Sequence, residues 1–454
     1  MRKRIWFILI SSILFFPAHA FAVGSAGFEN AAFTPKSLAQ SNAVVARPQD
    51  GSTVYINPAG IVDLNGIQTT ASLEGLHWKI YHRNDVTGDH NDNNSKLLLI
   101  PGFYATANPG KIFDDRLAFG LAVNSPYGLA SSFPAEGVGH YTGYQNSLRT
   151  IATTMAASVR LASWLNVGAG ATNYWIYNYG QRFNYPNANI VGSGADGTAF
   201  TETSGNGWGW NLGLLLKPID KHKIGISYRS RANVNVDGRV VIDDLVLGLA
   251  QGYDTAPHFE SGAHSHVMLP SNLTLGYAYE PSRKWAVEFD AGITGWQDFV
   301  DQNFTFDRPN PTLNALGTIT RNYQTTLSLH LGGHYRLNDK TDLMGGFAFY
   351  EAAAPKAHVD NFLPDANRFL WTLGYSYNVT NNLSVDFAYF VMLFASRSIS
   401  NPDALAKSGR SVDGRYTSIL HGPMLALTYK FGAEEEPIIK ALSRKEKPIV
   451  QVVK

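Results

Sequence analysis

Apolar and polar residues alternate along most of this chain, so that every second position is apolar. In one such segment Trp285, Val287 and Phe289 fall on one face, and Glu288 and Asp290 fall on the other. The side chains of a β-strand point alternately to its two faces, so a period of two predicts strands with one face in apolar surroundings. The fold class is therefore predicted to be all-β.

About fourteen segments of this kind follow one another along the chain. Most are longer than the usual soluble strand of about 5–6 residues. Many reach the roughly 9–11 residues that a tilted transmembrane strand requires. Their approximate spans are 66–82, 95–108, 115–127, 144–162, 165–183, 206–217, 222–242, 264–280, 283–298, 317–337, 341–354, 367–379, 382–397 and 411–431.

The connections between the segments alternate between short polar turns and long loops. Short turns on one side and long loops on the other are typical of outer-membrane barrels. The sequence therefore predicts a transmembrane antiparallel β-barrel of about 14 strands; the alternative, a secreted β-sandwich, predicts no such alternation. The long loops are 83–94, 128–143, 184–205, 243–263, 299–316, 355–366 and 398–410.

The first 22 residues have the features of a secretory signal peptide. A basic start, Arg2–Arg4, precedes the apolar run Ile5–Phe16, and small residues follow up to Ala22. An uncleaved anchor helix is the alternative, but the apolar run is shorter than the roughly 20 residues that span a bilayer. We expect cleavage after Ala22 and a location in the outer membrane of a Gram-negative bacterium.

Residues 23–65 precede the predicted barrel. A barrel of fourteen strands is wider than one of eight, whose interior side chains can fill it, so its lumen must be blocked. These residues are therefore predicted to form a plug, or hatch, inside the lumen. Within them, Thr53–Ile56 begins like a strand and stops at Asn57 and Pro58, because proline cannot donate to a sheet. An edge strand followed by a turn is the alternative interpretation.

The predicted barrel extends over residues 66–431. Its last strand is apolar and ends at Phe431, which looks like the assembly signal of outer-membrane barrels and implies the barrel-assembly machinery as a partner. Residues 432–454 are charged and rich in turn residues at their start. They are predicted to be a periplasmic tail, with a short docking helix near 438–442 as the alternative.

Composition excludes several functions. Charged residues are 16% of the chain, below the roughly 25% of soluble domains. The net charge is +1 and there is no cysteine, so neither a nucleic-acid partner nor thiolate chemistry is indicated. The motif G-x-S-x-G is absent, so the protein is not predicted to be an enzyme and needs no cofactor. A barrel lipase and an open porin for polar solutes are the rival functions.

Two groups of residues have candidate chemistry of their own. His258, His264 and His266 could ligate a metal, but ordinary loop or lumen histidines are the favoured interpretation. Glu288 and Asp290 share one inward face and could perform acid–base chemistry, but a solvated pair of lumenal charges is favoured. No metal site is therefore predicted.

Several stretches of the chain resemble the FadL/TodX family of outer-membrane transporters for hydrophobic compounds. They include ARPQDGSTVYINPAG (46–60), NSPYGLASSF (124–133) and LPDANRFLWTLGYSY (363–377). The resemblance covers about 23–431 and implies capture in a low-affinity groove among the extracellular loops. Passage to a high-affinity pocket near the start of the hatch would follow, and then passive lateral exit through a gap at a kinked third strand. Long-chain fatty acids are the favoured substrates, with aromatic hydrocarbons as the alternative.

The resemblance also implies a gate. Asn57, Pro58 and Ala59 match the motif that braces the kinked strand, and Gly128 matches the glycine at the kink. We expect the Asn57–Ala59 turn to supply hydrogen-bond partners to the wall beside Gly128. Glycine suits such a position because it tolerates a bend and missing ladder bonds.

Two arginines are candidates for binding a carboxylate head group. Arg182 matches an arginine near the lumenal pocket, and Arg321 lies near a position where the family can place a second cation. The alternative for both is an ion pair with the barrel's own acids. The implied partners are a hydrophobic small molecule and outer-membrane lipid with lipopolysaccharide, and the barrel is expected to be a monomer.

Overall fold

The structure is a computed structural model, and it describes most of the chain between residues 27 and 431. The predicted signal peptide 1–22 and the tail 432–454 lie outside the described residues, so both remain predictions. The described residues are 27–30, 32–110, 115–137, 139–185, 196–244, 258–308, 317–402 and 412–431.

Strands dominate the described part of the chain, and they lie where the alternating pattern predicts them. Nine occur before residue 244. They are β1 (Ile67–Asn84), β2 (Leu97–Ala107), β3 (Leu117–Asn124), β4 (Gly128–Ser132), β5 (Gln145–Ala162), β6 (Leu165–Tyr185), β7 (Gly197–Ile219), β8 (His222–Arg229) and β9 (Ala232–Asp243).

The remaining strands continue this pattern to Phe431, and the short ones among them lie at the end of the barrel with the long loops. They are β10 (His258–Leu269), β11 (Asn272–Tyr279), β12 (Trp285–Thr294), β13 (Asp301–Asn303), β14 (Thr305–Phe306), β15 (Thr318–Thr320), β16 (Thr326–Asn338), β17 (Thr341–Tyr350), β18 (Arg368–Asn378), β19 (Leu383–Phe394), β20 (Arg397–Ile399) and β21 (Gly414–Phe431).

Nineteen of these strands form one closed antiparallel barrel, and β13 and β15 pair with each other in a separate small sheet. The first strand pairs with the last, from Ile67 opposite Phe431 to Asn84 opposite Gly414, so the sheet has no free edge at the chain ends. At five places two shorter strands share one position in the wall: β3 with β4, β8 with β9, β10 with β11, β12 with β14, and β19 with β20. The wall therefore has fourteen positions, and the predicted strand number is confirmed.

The two faces of the wall differ as the alternation predicts. In β12 the side chains of Trp285, Val287 and Phe289 are about half exposed, whereas Glu288 and Asp290 are fully buried. The exposed apolar face is the one that lipid covers in an outer-membrane barrel. The buried polar residues of the other face point inward, so the lumen must contain polypeptide that satisfies them.

Residues 27–64, which we call the lumenal segment, fill this space. Ser158 of β5 and Ser227 of β8 donate hydrogen bonds to its backbone carbonyls, and so does Thr372 of β18. Asp290 of β12 accepts hydrogen bonds from its backbone N–H groups. Because these strands lie on different sides of a closed wall, a segment that contacts all of them lies inside the barrel.

The lumenal segment is folded into short helical turns. The first, α1 (Pro35–Leu38), has a capping box: Ser37 N–H donates to Thr34 Oγ1 at 3.3 Å, and Thr34 N–H donates to Ser37 Oγ at 3.1 Å. The second, α2 (Thr53–Ile56), is followed by a 3-10 helix, Pro58–Asp63. Within the described ranges, no helix has the length and apolar character needed to cross a membrane.

The stretch Thr53–Ile56 is therefore helical, and the alternative of an edge strand is wrong. Its β-branched residues favour a strand locally, but Val54, Tyr55 and Ile56 are buried among wall residues, and this packing decides the conformation. Asn57 ends the helix, and its Oδ1 atom accepts the N–H of Ala59 at 3.2 Å, which starts the 3-10 helix.

Candidate functional site

The wall is interrupted between β2 and its neighbour on the side of the long loops. β2 pairs with β3 only up to Phe103 opposite Val123, and among the described residues β4 pairs with β5 alone. Residues 97–102 of β2 therefore have a ladder partner only in β1. At the rim of the barrel the two sides meet again, where Asn94 N–H donates to Ser132 O at 2.6 Å. The result is a lateral gap bounded above and below.

The start of the lumenal segment lies against the inner side of this gap. Gly128 N–H donates to Phe28 O at 2.8 Å, and Asn30 N–H donates to Pro126 O at 2.7 Å, so the two stretches form an antiparallel bridge. A backbone group without a partner at membrane depth costs several kcal/mol. This short stretch of the lumenal segment supplies partners that the bent wall strand has lost.

The Asn57–Ala59 turn lies against another part of the wall. Asn57 Nδ2 donates to Leu214 O of β7 at 3.2 Å, and Ser158 Oγ of β5 donates to Ala59 O at 2.9 Å. The expectation that this turn supplies the partners beside Gly128 is therefore wrong, because Phe28 and its neighbours supply them.

Two wall glycines explain why the turn lies there. A Cβ atom at Gly168 of β6 would lie 2.4 Å from the backbone N of Ala59 and from the backbone C of Pro58. A Cβ atom at Gly213 of β7 would lie 2.1 Å from Asn57 Oδ1. Only glycine allows the backbone of the wall to approach the turn this closely.

Phe28 occupies a pocket made of aromatic rings. Its ring centroid lies 4.7 Å from that of Trp296, 5.8 Å from that of Phe299 and 6.2 Å from that of Tyr127, all edge to face. Gly27 has a φ of +63°, and a Cβ there would lie 2.5 Å from the ring of Trp296. The residue that bonds the bent wall strand is thus held in place by three aromatic side chains. The alternating pattern did not single out these aromatic residues.

Arg182 does not lie beside this pocket. It is exposed on β6, and its guanidinium stacks on the ring of Phe200 at 4.9 Å. Tyr179 of the same strand is buried, and a residue three positions along a strand points to the opposite face. The expected place of Arg182 near the lumenal pocket is therefore wrong.

Arg321 is brought close to the aromatic pocket, but it is already paired. Its side chain is 1% exposed, its Nη1 donates to Asp360 Oδ2 at 2.9 Å, and it stacks on Phe362 at 4.7 Å. Tyr323, two residues on, packs its ring against Phe299 of the pocket at 5.2 Å. The alternative from the sequence, an ion pair with one of the protein's own acids, describes this residue.

A second buried ion pair holds the very start of the lumenal segment. Arg368 of β18 donates to Asp365 Oδ1 at 2.6 Å and to Gly27 O at 2.9 Å, and both side chains are fully buried. The loop that carries Asp360 and Asp365 was predicted to be extracellular, yet Phe362 and Asp365 are 2% and 1% exposed. The loop therefore folds toward the lumen and contributes to the site.

Glu288 and Asp290 are anchors for the lumenal segment. Asp290 Oδ2 accepts the N–H groups of Val44 and Val45 at 3.1 and 3.2 Å, and Glu288 Oε1 accepts the N–H of Ala46 at 2.6 Å. One oxygen of each carboxylate is thus bound by backbone N–H groups of the lumenal segment. Both residues are fully buried, so the favoured interpretation of a solvated pair is wrong.

His264 lies apart from the lumen, in the region of the long loops. Its two ring nitrogens lie 2.7 Å from Asp237 Oδ1 and 3.0 Å from Asp307 Oδ1, and its side chain is exposed. No group of three metal-ligating side chains is found in the described parts of the chain.

Two cavities lie near these features. One is between the lumenal segment and the wall, next to the ion pair of Arg229 Nη2 with Glu29 Oε1 at 2.7 Å, and most of its lining residues are of polar types. The other is close to the long loops and is largely apolar. Residues that line the second cavity include Phe183, Val240, Phe304, Phe306 and Ile319.

A known family matches this chain over residues 17–431, and it is described as outer membrane protein transport protein (OMPP1/FadL/TodX). The chain belongs to this family. It is therefore an outer-membrane β-barrel transport protein of a Gram-negative bacterium, of a family that transports hydrophobic compounds, and it is not an enzyme.

Relatives and solved structures agree with this assignment. Outer membrane protein P1 of Haemophilus influenzae is 23% identical over 80% of this chain and 85% of its own length. A long-chain fatty acid transport protein of Salmonella typhi is 23% identical over 65% of this chain and 70% of its own length.

Two solved structures share the fold. A FadL homologue of Pseudomonas aeruginosa has a TM-score of 0.78 at 20% identity, covering 89% of this chain and all of its own. The toluene transporter TodX of Pseudomonas putida has a TM-score of 0.67 at 17% identity, covering 90% of this chain and all of its own. At these identities the likeness establishes the fold alone.

Proposed function

We propose that this protein takes up hydrophobic compounds by passive diffusion and releases them sideways, through the gap between β2 and β4, into the outer membrane. The observation that carries the proposal is the interrupted ladder: residues 97–102 of β2 have no partner in β4, and the start of the lumenal segment lies across the inner side. An apolar molecule leaving here stays out of water, which is worth about 0.8 kcal/mol for each buried CH₂ group.

The proposed path starts at the apolar cavity near the long loops, which captures the substrate. The substrate then reaches the aromatic pocket and displaces Phe28. Because Phe28 O accepts the N–H of Gly128, its departure also removes a bond that holds the segment across the gap. Relatives named for the transport of long-chain fatty acids and of toluene are in keeping with a hydrophobic substrate.

The rest of the lumenal segment acts, in this proposal, as a plug that stays in place. Its end is tied to the wall through Asn57 and Ala59, and its middle is tied through Val44–Ala46 to the carboxylates of β12. A plug of this kind blocks the straight path to the periplasm, so the substrate has to leave through the wall. This distinguishes the protein from an open porin.

A disulfide lock tests the lateral exit. Glu29 and Tyr127 face each other between the two backbone bonds of the bridge. Such a pair has its Cα atoms about 4.5 Å apart, within the roughly 4.4–6.8 Å that a disulfide spans. The chain has no cysteine, so the double variant Glu29→Cys/Tyr127→Cys can form only this bond within the chain.

Uptake of radiolabelled hydrophobic substrate by whole cells is the measurement. The oxidised double variant should take up no more than cells without the protein, and reduction should restore uptake. Each single cysteine variant is the control for the loss of a side chain. Normal uptake with the disulfide intact, verified by mass spectrometry, would show that the substrate leaves elsewhere.

A further inference from the structure

The buried arginines of the lumen are all paired with acidic residues. Among the described residues, no lysine is buried, and each buried arginine has a carboxylate oxygen within 4 Å. No buried guanidinium of the described residues is therefore left without an acidic partner for an incoming anion to replace. The buried arginines are Arg47, Arg229, Arg321 and Arg368, and the buried acids are Glu29, Asp50, Glu74, Glu288, Asp290, Asp365 and Asp386.

Arg321 is a buried cation two residues from Tyr323, whose ring packs on Phe299 of the aromatic pocket. One edge of the guanidinium bonds Asp360, while Nε and Nη2 are buried and have no hydrogen-bond partner among the described residues. Asp360 is fixed in turn, because its Oδ1 atom accepts the N–H of Phe362 at 2.9 Å. The site thus has spare hydrogen-bond donors, but its charge is already balanced.

A free fatty acid fits these donors poorly. Its carboxylate would place a second negative charge on a guanidinium that Asp360 already neutralises, and Asp365 lies nearby in the same loop. Burying a charge that lacks a partner of its own is strongly unfavourable. A neutral oxygen, such as that of an ester, can accept from Nε or Nη2 without adding charge, and a hydrocarbon needs no partner at all.

We infer that the lumenal pocket takes neutral hydrophobic molecules and discriminates against the ionised carboxylate of a fatty acid. This inference rests on the proposed function and narrows its substrate class. It reverses the preference for long-chain fatty acids that the sequence suggested, because the structure turns Arg182 away from the lumen and pairs Arg321 with Asp360.

A matched pair of ligands isolates the effect of charge. Oleate and methyl oleate have the same chain, and only oleate is ionised at alkaline pH. Binding of each to the purified full-length protein in detergent is measured by competition against a fluorescent neutral hydrophobe. Methyl oleate should bind about tenfold more tightly than oleate, a ratio that corresponds to about 1.4 kcal/mol. Equal or tighter binding of oleate would overturn the inference and leave the proposed function standing.

The variant Asp360→Asn tests the cause. Asparagine keeps an oxygen for the N–H of Phe362 but removes the charge that neutralises Arg321, so oleate should bind about tenfold more tightly while methyl oleate changes by less than about twofold. The control is Glu260→Gln, which removes an exposed carboxylate 3.4 Å from Arg239 and should change neither affinity.

The remaining outcomes are also decisive. Unchanged oleate binding by Asp360→Asn, in a variant that still migrates as a folded barrel without boiling, would contradict the role of the ion pair. Binding of neither ligand nor of the fluorescent probe by the wild type would contradict the proposed function itself, and the inference with it.

Discussion

The two ends of the lumenal segment are attached to the wall in different ways. At its end, the Asn57–Ala59 turn is in backbone contact with Gly168, where a single added carbon has no room. At its start, Phe28 and Asn30 are attached by two backbone hydrogen bonds and by aromatic contacts. A hydrogen bond that is exchanged for one with another partner changes stability by only about 0.5–1.5 kcal/mol. The close backbone contact at Gly168 cannot be exchanged in this way, because it depends on the shape of both surfaces. The first part of the segment, around Phe28 and Asn30, is therefore the part that can move. The Asn57–Ala59 turn at the other end of the segment is its anchor.

The largest effect is expected from disturbing the anchor. In Gly168→Ala the new Cβ atom would lie 2.4 Å from the backbone of Pro58 and Ala59, so the turn or the wall must shift. Overpacking of this kind costs about 1–3 kcal/mol. We expect a lower temperature for the loss of the compact, unboiled form in SDS gels, and ion conductance in planar bilayers where the wild type has little.

The matched control for that prediction is Gly333→Ala. Gly333 lies in the same wall, on β16, and the nearest atom to a Cβ there is 3.8 Å away. Its thermal behaviour and conductance should equal those of the wild type. If both variants behave alike, the close contact at Gly168 does not anchor the segment.

A smaller effect, seen most clearly in the binding of substrate, is expected at the start. Phe28→Ala removes edge-to-face ring pairs that are worth about 0.5–1.5 kcal/mol each, so it also lowers thermal stability. Because a ligand then no longer has to displace Phe28, a neutral hydrophobe should bind about tenfold more tightly. Ligand titration monitored by tryptophan fluorescence measures this, since Trp296 lies 4.7 Å from Phe28.

Phe33→Ala serves as the control for Phe28→Ala. Phe33 belongs to the same segment and is buried, but its ring packs on Tyr55 at 5.2 Å, away from the gap. It should lower stability without tightening binding. Equal changes of affinity in the two variants would argue against a movable start.

The smallest effect is expected from a change of pH, which acts through Asp63 at the end of the 3-10 helix that contains the anchor. Burial raises the pKa of Asp63, but the hydrogen bond and charge of Lys217 at 2.5 Å, together with Arg160 at 3.0 Å, outweigh it and hold the pKa below its ordinary value of 3.8. This contribution to stability is complete above that ordinary value and is lost as the pH falls through the lower, folded pKa. Partly exposed ion pairs contribute about 0–1 kcal/mol.

The variant Asp63→Asn separates this contribution from other acid effects. At neutral pH it should lower the thermal stability of the barrel slightly, and the difference from the wild type should disappear as the pH falls through the lowered, folded pKa of Asp63, because Asp63 is then protonated in both states. Melting curves of the purified protein across this range are the measurement. A difference that persists unchanged at acid pH would show that the charge of Asp63 is not what matters.

Part of the site could be predicted from the sequence. Gly128 was expected at the bend of the third wall position, and it does begin β4, the strand that has lost β2 as a partner. Asn57 was expected to end a broken segment before the barrel, and it does so. The expected contact between Asn57 and the bend at Gly128 was wrong. Nothing in the local sequence distinguishes a turn that contacts β6 and β7 from one that contacts β4.

The sequence by itself determined the barrel. Each strand faces lipid on one side and the lumen on the other, so apolar and polar residues alternate along it. Only the tertiary structure decided the contacts inside. Phe28 and Gly128 are one hundred positions apart, and Arg321 and Asp360 come from separate loop regions that meet in the lumen. The inward faces of the strands carry small and polar residues all around the wall. The alternating pattern therefore does not show which wall residues the lumenal segment contacts. Arg182 and Arg321 are the same residue type, so the sequence does not distinguish them. The geometry of the closed barrel places Arg182 on its exposed side and Arg321 against Asp360 inside.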